Sequence, residues 1–346
     1  MTTKPRLLTG DTPTGKLHLG HWVGSLENRV TLQNDYDCFF IIANMHAFTT
    51  RAQRTDEIRQ SVLDITLDYL GAGIDPQKST IFVQSEIPAI AELTFLFSML
   101  TPYGDLMRNP TIKDEIRDKQ LGDSYPFGFL LYPIGQVADI LTFMPDVVPV
   151  GEDQLPHLEL ARDIARRFNH YYGELFPLFK PLVGRVKRLV GTGAPNEQGQ
   201  LIKMSKSLNN AILLSDDNDT IQQKVMKIYT DPNRIKATDP GNTDNNPLWI
   251  FHDIFNSDTQ WVEETKQKYR EGGVGDVVCK RKLIEVLVEL ISPMRERRKT
   301  YANDPAQLLQ LLSAGNAKAN AFADTTLAKV KKAINMDFTL SIHHGY

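Results

Sequence analysis

The feature that most restricts the fold is a run of six apolar residues, Cys38-Phe39-Phe40-Ile41-Ile42-Ala43. It has the length of a strand, and it does not alternate. A strand of this kind must be covered on both faces, as an inner strand of a parallel sheet is. Residues 6–9, 80–84 (TIFVQ) and 147–154 (VVPVGEDQ) supply further strand-like stretches. Helical patterns separate them. Over residues 55–70, Ile58, Val62, Ile65 and Tyr69 form one stripe, and Gly71, Gly73 and Pro76 stop the pattern. Residues 18–32 and 155–168 also read as helices. The alternation predicts an α/β fold with a doubly wound parallel sheet.

An insert of about residues 86–131 interrupts the alternation. It holds an apolar run, LTFLFSML (93–100), and a polar one, NPTIKDEIRDKQ (109–120). The apolar run is either core or a partner surface. After Gly191 the stretch GTGAPNEQGQ reads as a mobile loop. Beyond Asp216 only helical spacing is found, over 219–229, 276–300, 304–314 and 317–333. The expected division is an α/β unit, 1–208, and an all-helical unit, 209–346.

Composition excludes several classes. No apolar run reaches the about 18 residues of a membrane span. MTTKPRLLTG lacks a secretory h-region, and the two cysteines, Cys38 and Cys279, are too few for a disulfide scaffold or a Cys-based zinc site. A cytoplasmic protein without a metal site of its own is expected. The net charge of −3 rules out an overall basic coat but not a local basic face.

The segment GDTPTGKLHLGH (10–21) spaces Gly10, Gly15 and Lys16 like a phosphate loop. Leu17 stands where that motif needs a hydroxyl, and residues 38–43 run into Asn44 rather than Asp, so the likeness is weak. His18 and His21 share one face at a helix start, with Gly20 allowing close approach. Helix N-termini favour anions. Two ordinary helix histidines are the alternative. KMSKS (203–207) follows the mobile loop and offers Lys203 and Lys206 as cations with Ser205 and Ser207 as donors. A solvated basic loop is the alternative there.

The ordered pair of HLGH and KMSKS resembles the HIGH and KMSKS motifs of class I aminoacyl-tRNA synthetases. PTGKLHLGH, VQSEIP (83–88) and VPVGEDQLPHLELARDIARRFN (148–169) further resemble tryptophanyl-tRNA synthetases, in their divergent second bacterial type. Two departures are Pro13-Thr14-Gly15 in place of PSG and a longer insertion over 191–201. The resemblance implies a Rossmann-like catalytic unit and an anticodon-binding helical end. It implies ATP with Mg²⁺, tRNA(Trp), tryptophan and a homodimer. His18, His21, Lys203 and Lys206 would be catalytic. Thr12, Pro13, Thr14, Gly20, Gly151, Glu152, Asp153, Val186, Met204, Ser205 and Ser207 would surround ATP, with Lys113 reaching a phosphate. A helix cap is the alternative for Gly151-Glu152-Asp153, and a solvated charge for Lys113.

The amino-acid pocket would comprise Leu8, Gly10, His46, Gln136, Asp139, Val148 and Val150. An indole N–H only donates, so it needs an acceptor such as Asp139. Gln136 and Asp139 together also resemble the tyrosyl relatives, whereas Leu7-Leu8-Thr9 lacks their tyrosine. For His46 the alternative is a satisfied buried histidine. Arg162, Arg166 and Arg167, Lys280 to Lys282, Arg295 to Lys299, and Lys329, Lys331 and Lys332 are candidate phosphate contacts. The tyrosyl enzyme and a non-charging binding paralogue remain as alternatives.

Overall fold

The computed structural model describes residues 4–338 except 119–121, 123, 124, 187, 232, 233, 235 and 237. Of Glu115, Asp118 and Asp153 it describes the backbone alone. Five parallel strands, β1 (Arg6–Asp11), β2 (Asp37–Ile42), β3 (Ser79–Val83), β4 (Val147–Val150) and β5 (Lys180–Val183), lie in the order β3-β2-β1-β4-β5. Helices α1 (Leu19–His21), α2 (Glu27–Leu32), α3 (Asn44–Arg51) and α4 (Thr55–Ala72) fall among the first three strands. Helices α5 (Pro88–Ser98), α6 (Tyr103–Arg108), α7 (Pro110–Asp118) and α8 (Phe127–Phe143) fill the insert and lead to β4, and α9 (Leu155–Tyr172) joins β4 to β5. Then come α10 (Asn218–Met226), α11 (Pro247–Phe255), α12 (Thr259–Arg270), α13 (Asp276–Ala302) and α14 (Pro305–Ala333).

The continuous apolar run now has its reason. Cys38, Phe40 and Ile42 enter one core layer, with α4, α11 and α13. Phe39 and Ile41 enter the other, with α5, α8, α9 and α14. Both faces of β2 are buried, so no polar alternation survives. The apolar run of the insert divides otherwise, between core and surface: Leu93 and Phe97 are buried, while Phe95 and Met99 are 63% and 66% exposed.

Four features differ from the sequence reading. The helix expected over 18–32 contains a π turn, Trp22–Leu26, between α1 and α2. The strand at 147 stops at Val150, and Glu152–Gln154 form a single 3₁₀ turn. Strand β5 was not expected, since Pro181 speaks against a strand; it is tolerated because β5 is an edge. The helices expected over 304–314 and 317–333 are one, α14. Gly315 is not a break but a docking point: a Cβ there would stand 1.9 Å from the Ile81 carbonyl oxygen. Asn316 Oδ1 accepts the Val83 N–H at 2.9 Å, so α14 lies along the free edge of β3.

Among the described residues, no helix is long and apolar enough to cross a membrane.

Candidate active site

The strand order reverses between β1 and β4, and a crevice at their carboxyl ends is where ligands bind in such sheets. A cavity of about 870 Å³ opens there. Its walls come from the β1 end, the HLGH turn, α3, α8, the β4 end and KMSKS. Backbone pairing locks the HLGH turn in place. Leu19 N–H donates to Ile212 O and Leu214 N–H to Leu17 O, both at 3.0 Å.

His18 and His21 cap their own helix. His18 Nδ1 accepts the Gly20 N–H and His21 Nδ1 accepts the His18 N–H, each at 3.1 Å. A Cβ on Gly20 would stand 2.9 Å from the His18 ring, so a larger residue there would displace that ring. With both Nδ1 atoms accepting, the ring proton of each neutral imidazole sits on Nε2. Burial, and then the neighbouring His21, push His18 down to about 2. Burial pushes His21 down to about 4. Both rings are neutral donors at pH 7.

Beneath the 10–15 turn, Asp11 Oδ2 accepts from Arg29 and from the Tyr69 hydroxyl, both at 2.7 Å. Burial alone would raise the Asp11 carboxyl; the Arg29 guanidinium reverses this and holds it at about 2. Asp11 is thus tied into the wall as an anion.

KMSKS folds onto this turn. Lys206 Nζ donates to Gly15 O at 3.0 Å, Lys16 O at 2.9 Å and Thr14 Oγ1 at 3.4 Å. Burial lowers the Lys206 ammonium below its ordinary value. Asn210 Oδ1 accepts the Ser205 N–H at 2.7 Å, and Ser205 and Ser207 hydroxyls lie 2.9 Å apart. Met204 is buried and anchors the loop.

At the far end a polar cluster stands among apolar walls. Gln84 Nε2 reaches both Asp139 oxygens and lies 3.0 Å from His46 Nε2. Its two hydrogens serve these two partners, so His46 Nε2 accepts and the His46 proton is on Nδ1. Burial pushes the Asp139 carboxyl up to about 7, against the Gln84 hydrogen bonds. Burial, then His157, push His46 down to about 4. The His46–Asp139 approach of 3.5 Å is therefore not an ion pair at neutral pH. Gln136 Nε2 donates to Gln154 Oε1 at 3.4 Å.

Most of the expected residues meet in this cavity: Thr12, Thr14, His18, Gly20, His21, Gly151, Val186 and residues 203–207 on one side, and Leu8, Gly10, His46, Gln136, Asp139, Val148 and Val150 on the other. Pro13 is buried behind the turn, while Glu152 and Lys113 are exposed, and none of the three lines the cavity. The Asp153 side chain lies outside what is described. Sequence reasoning missed Gln84, Arg29, Tyr132 and His157. Gln84 carried one signal, a polar residue closing a buried strand. Several expected RNA contacts are engaged inside the protein. Arg162 bonds Phe179 O, Arg167 bonds Leu100 O, and Lys280 bonds Met226 O and Ile228 O. Arg281, Lys329 and Lys332 are exposed.

The family model of tRNA synthetases class I (W and Y) matches residues 1–292. The tryptophan–tRNA ligase of Clostridium longisporum is 47% identical over 340 residues, 97% of this chain and 98% of the relative. That of Lactococcus lactis subsp. lactis is 46% identical over 340 residues, 97% and 99% of the two chains. The crystal structure of tryptophanyl-tRNA synthetase from Campylobacter jejuni, complexed with ADP and tryptophan, matches with a TM-score of 0.82 at 33% identity, covering 95% of this chain and 99% of that one. With the parallel sheet and the HLGH and KMSKS segments on one cavity, these matches make the chain a member of the class I tRNA synthetases for tryptophan and tyrosine, on their tryptophan–tRNA ligase side.

Proposed function

We propose that the cavity joins tryptophan to ATP and passes the activated tryptophan to tRNA(Trp), the reaction of a tryptophan–tRNA ligase. The observation that carries the reading is the contact between KMSKS and the HLGH-bearing loop, with Lys206 on residues 14–16. The tryptophan carboxylate oxygen attacks the α-phosphorus. The bond to the β-phosphate oxygen breaks, and pyrophosphate leaves. No side chain becomes covalent. Catalysis is placement plus stabilisation of phosphoryl charge.

His18 and His21 donate Nε2–H to phosphoryl oxygens. As neutral donors they can do so throughout the physiological pH range. Lys203, Lys206 and the two serines hold the departing pyrophosphate. Gly20 and the 12–14 turn pack on the nucleotide, and Gly151 backs its ribose. Mg²⁺ would come with the nucleotide as part of the substrate and would offset phosphate charge. Asp139 accepts the indole N–H, while Leu8, Val148 and Val150 supply apolar walls.

We assign residues 1–208 to the catalytic unit and 209–346 to the helical unit that meets the anticodon. The exposed Phe95, Met99 and Tyr103 are assigned to a homodimer interface, and the enzyme to the cytoplasm.

The test is ATP–pyrophosphate exchange with tryptophan and tyrosine offered separately. Exchange with tryptophan alone is expected. Exchange with tyrosine alone overturns the substrate, and exchange with neither overturns the activity.

A further inference from the structure

The Leu17 amide, which opens the HLGH turn, is held from outside the cavity. Its N–H donates to Asp68 Oδ2 on α4 at 2.7 Å. The other carboxylate oxygen accepts from Arg298 Nε on α13 at 2.7 Å. Arg298 also reaches Asp64 Oδ1 at 2.6 Å, one turn earlier on α4. Asp68 is 2% exposed. One buried carboxylate therefore bridges a helix far along the chain and a backbone N–H beside His18.

The surrounding packing is tight. At Gly71 a Cβ would stand 2.8 Å from Met294 O, and Arg297 Nε donates to Gly71 O at 2.8 Å. The same turn of α13 reaches the other side of the HLGH pairing. Arg295 donates to Asp216 O and to Asn218 Oδ1, both at 3.0 Å. Asp216 Oδ2 in turn accepts the Leu213 N–H at 2.8 Å. Residues 212–214 follow KMSKS and pair with residues 17–19. A single turn of α13 thus grips both partners of that pairing.

We propose that Arg298, acting through Asp68, is a positioning residue that sets where His18 and His21 stand against Lys206. The inference rests on the reading that these histidines act on the nucleotide. Neither Arg298 nor Asp68 lines the cavity, so the effect travels through the Leu17 backbone. The His18 N–H is bonded to His21 Nδ1, so a shift of the Leu17–His18 peptide moves both rings. Small misplacements of reacting groups cost rate far more than binding.

The test is a double-mutant cycle between Arg298→Ala and His18→Ala, read by ATP–pyrophosphate exchange on folded protein. Arg298→Ala is expected to lower kcat by about tenfold with KM for tryptophan changed less than about twofold. In the His18→Ala background the same change should cost clearly less, because only His21 is left for it to position. Arg298→Lys should restore most of the rate, since an ammonium can still meet Asp68. Asp64→Asn is the control: it loosens the same guanidinium without touching Leu17 and should leave kcat near its starting value. If Arg298→Ala does not fold, Asp68→Asn carries the same cycle. Equal losses in both backgrounds, or a loss matched by Asp64→Asn, overturn the inference. Unchanged exchange in His18→Ala alone overturns the reading of HLGH instead, and the inference with it.

Discussion

Gln84 Nε2 donates to both carboxylate oxygens of Asp139, at 2.8 and 2.9 Å. The Met45 N–H holds Gln84 Oε1 at 3.0 Å, so the amide cannot turn over. Gln84 therefore presents donors only, and Asp139 remains an acceptor when ionised.

Burial sets the Asp139 carboxyl at about 7, against an ordinary 3.8. An indole N–H needs the ionised form. KM for tryptophan should rise as pH falls from 8 to 6, approaching about tenfold per unit well below 7. Asp139→Asn should raise KM and abolish that slope. A flat wild-type KM across this range sinks the assignment. The stability sign is the reverse. A raised folded pKa favours folding below the unfolded value and loses that advantage as pH rises through about 7. Asp139→Asn should therefore stabilise the protein at pH 8 more than at pH 4, as read by urea midpoints.

Lys206 has three protons and three protein acceptors, so reaching a phosphate means releasing at least one of them. Lys206→Ala should slow adenylate formation by about 100-fold or more, with tryptophan affinity unchanged. Arg at this position should not rescue, because a planar guanidinium cannot copy a compact ammonium. Single-turnover kinetics with separate equilibrium binding of tryptophan decides it.

His18 and His21 are held near 2 and 4, so neither titrates between pH 6 and 8. With saturating tryptophan, the kcat for exchange should show no histidine inflection in that interval. His18→Ala should lower it by about 100-fold. An inflection near 6.5 that vanishes in the variant would mean a charged imidazole takes part.

Gly315→Ala places a methyl where only 1.9 Å separates the Cβ position from the Ile81 oxygen. It should cost about 2 kcal/mol or more. Asn316→Ala, which strands the Val83 N–H, should cost about 1–2 kcal/mol. Denaturant midpoints measure both. Stabilities equal to wild type would mean α14 is not docked as described.

Local patterns carried much of this. The inner strands were legible because both faces of each are buried, and HLGH and KMSKS because each is a contiguous string. Partnerships across the fold left no local trace. Gln84 meets Asp139 from 55 residues away, and Asp68 meets Arg298 from 230. Gly315-Asn316 carries the local signature of a helix break, and only the opposing strand reveals why small and amide-bearing residues stand there. The resemblance offered Lys113 as a phosphate contact, with a solvated charge as the alternative; on α7 it is exposed and does not line the cavity.

The position of α14 also bears on how the chain is made. The edge of β3 is synthesised some 230 residues before Asn316, which satisfies its Val83 amide. Until that helix emerges from the ribosome, the nascent sheet presents open, apolar strand groups to any passing chain. Products cut short before Gly315 should therefore clump rather than idle as inactive monomers. Quality control of this enzyme begins at α14.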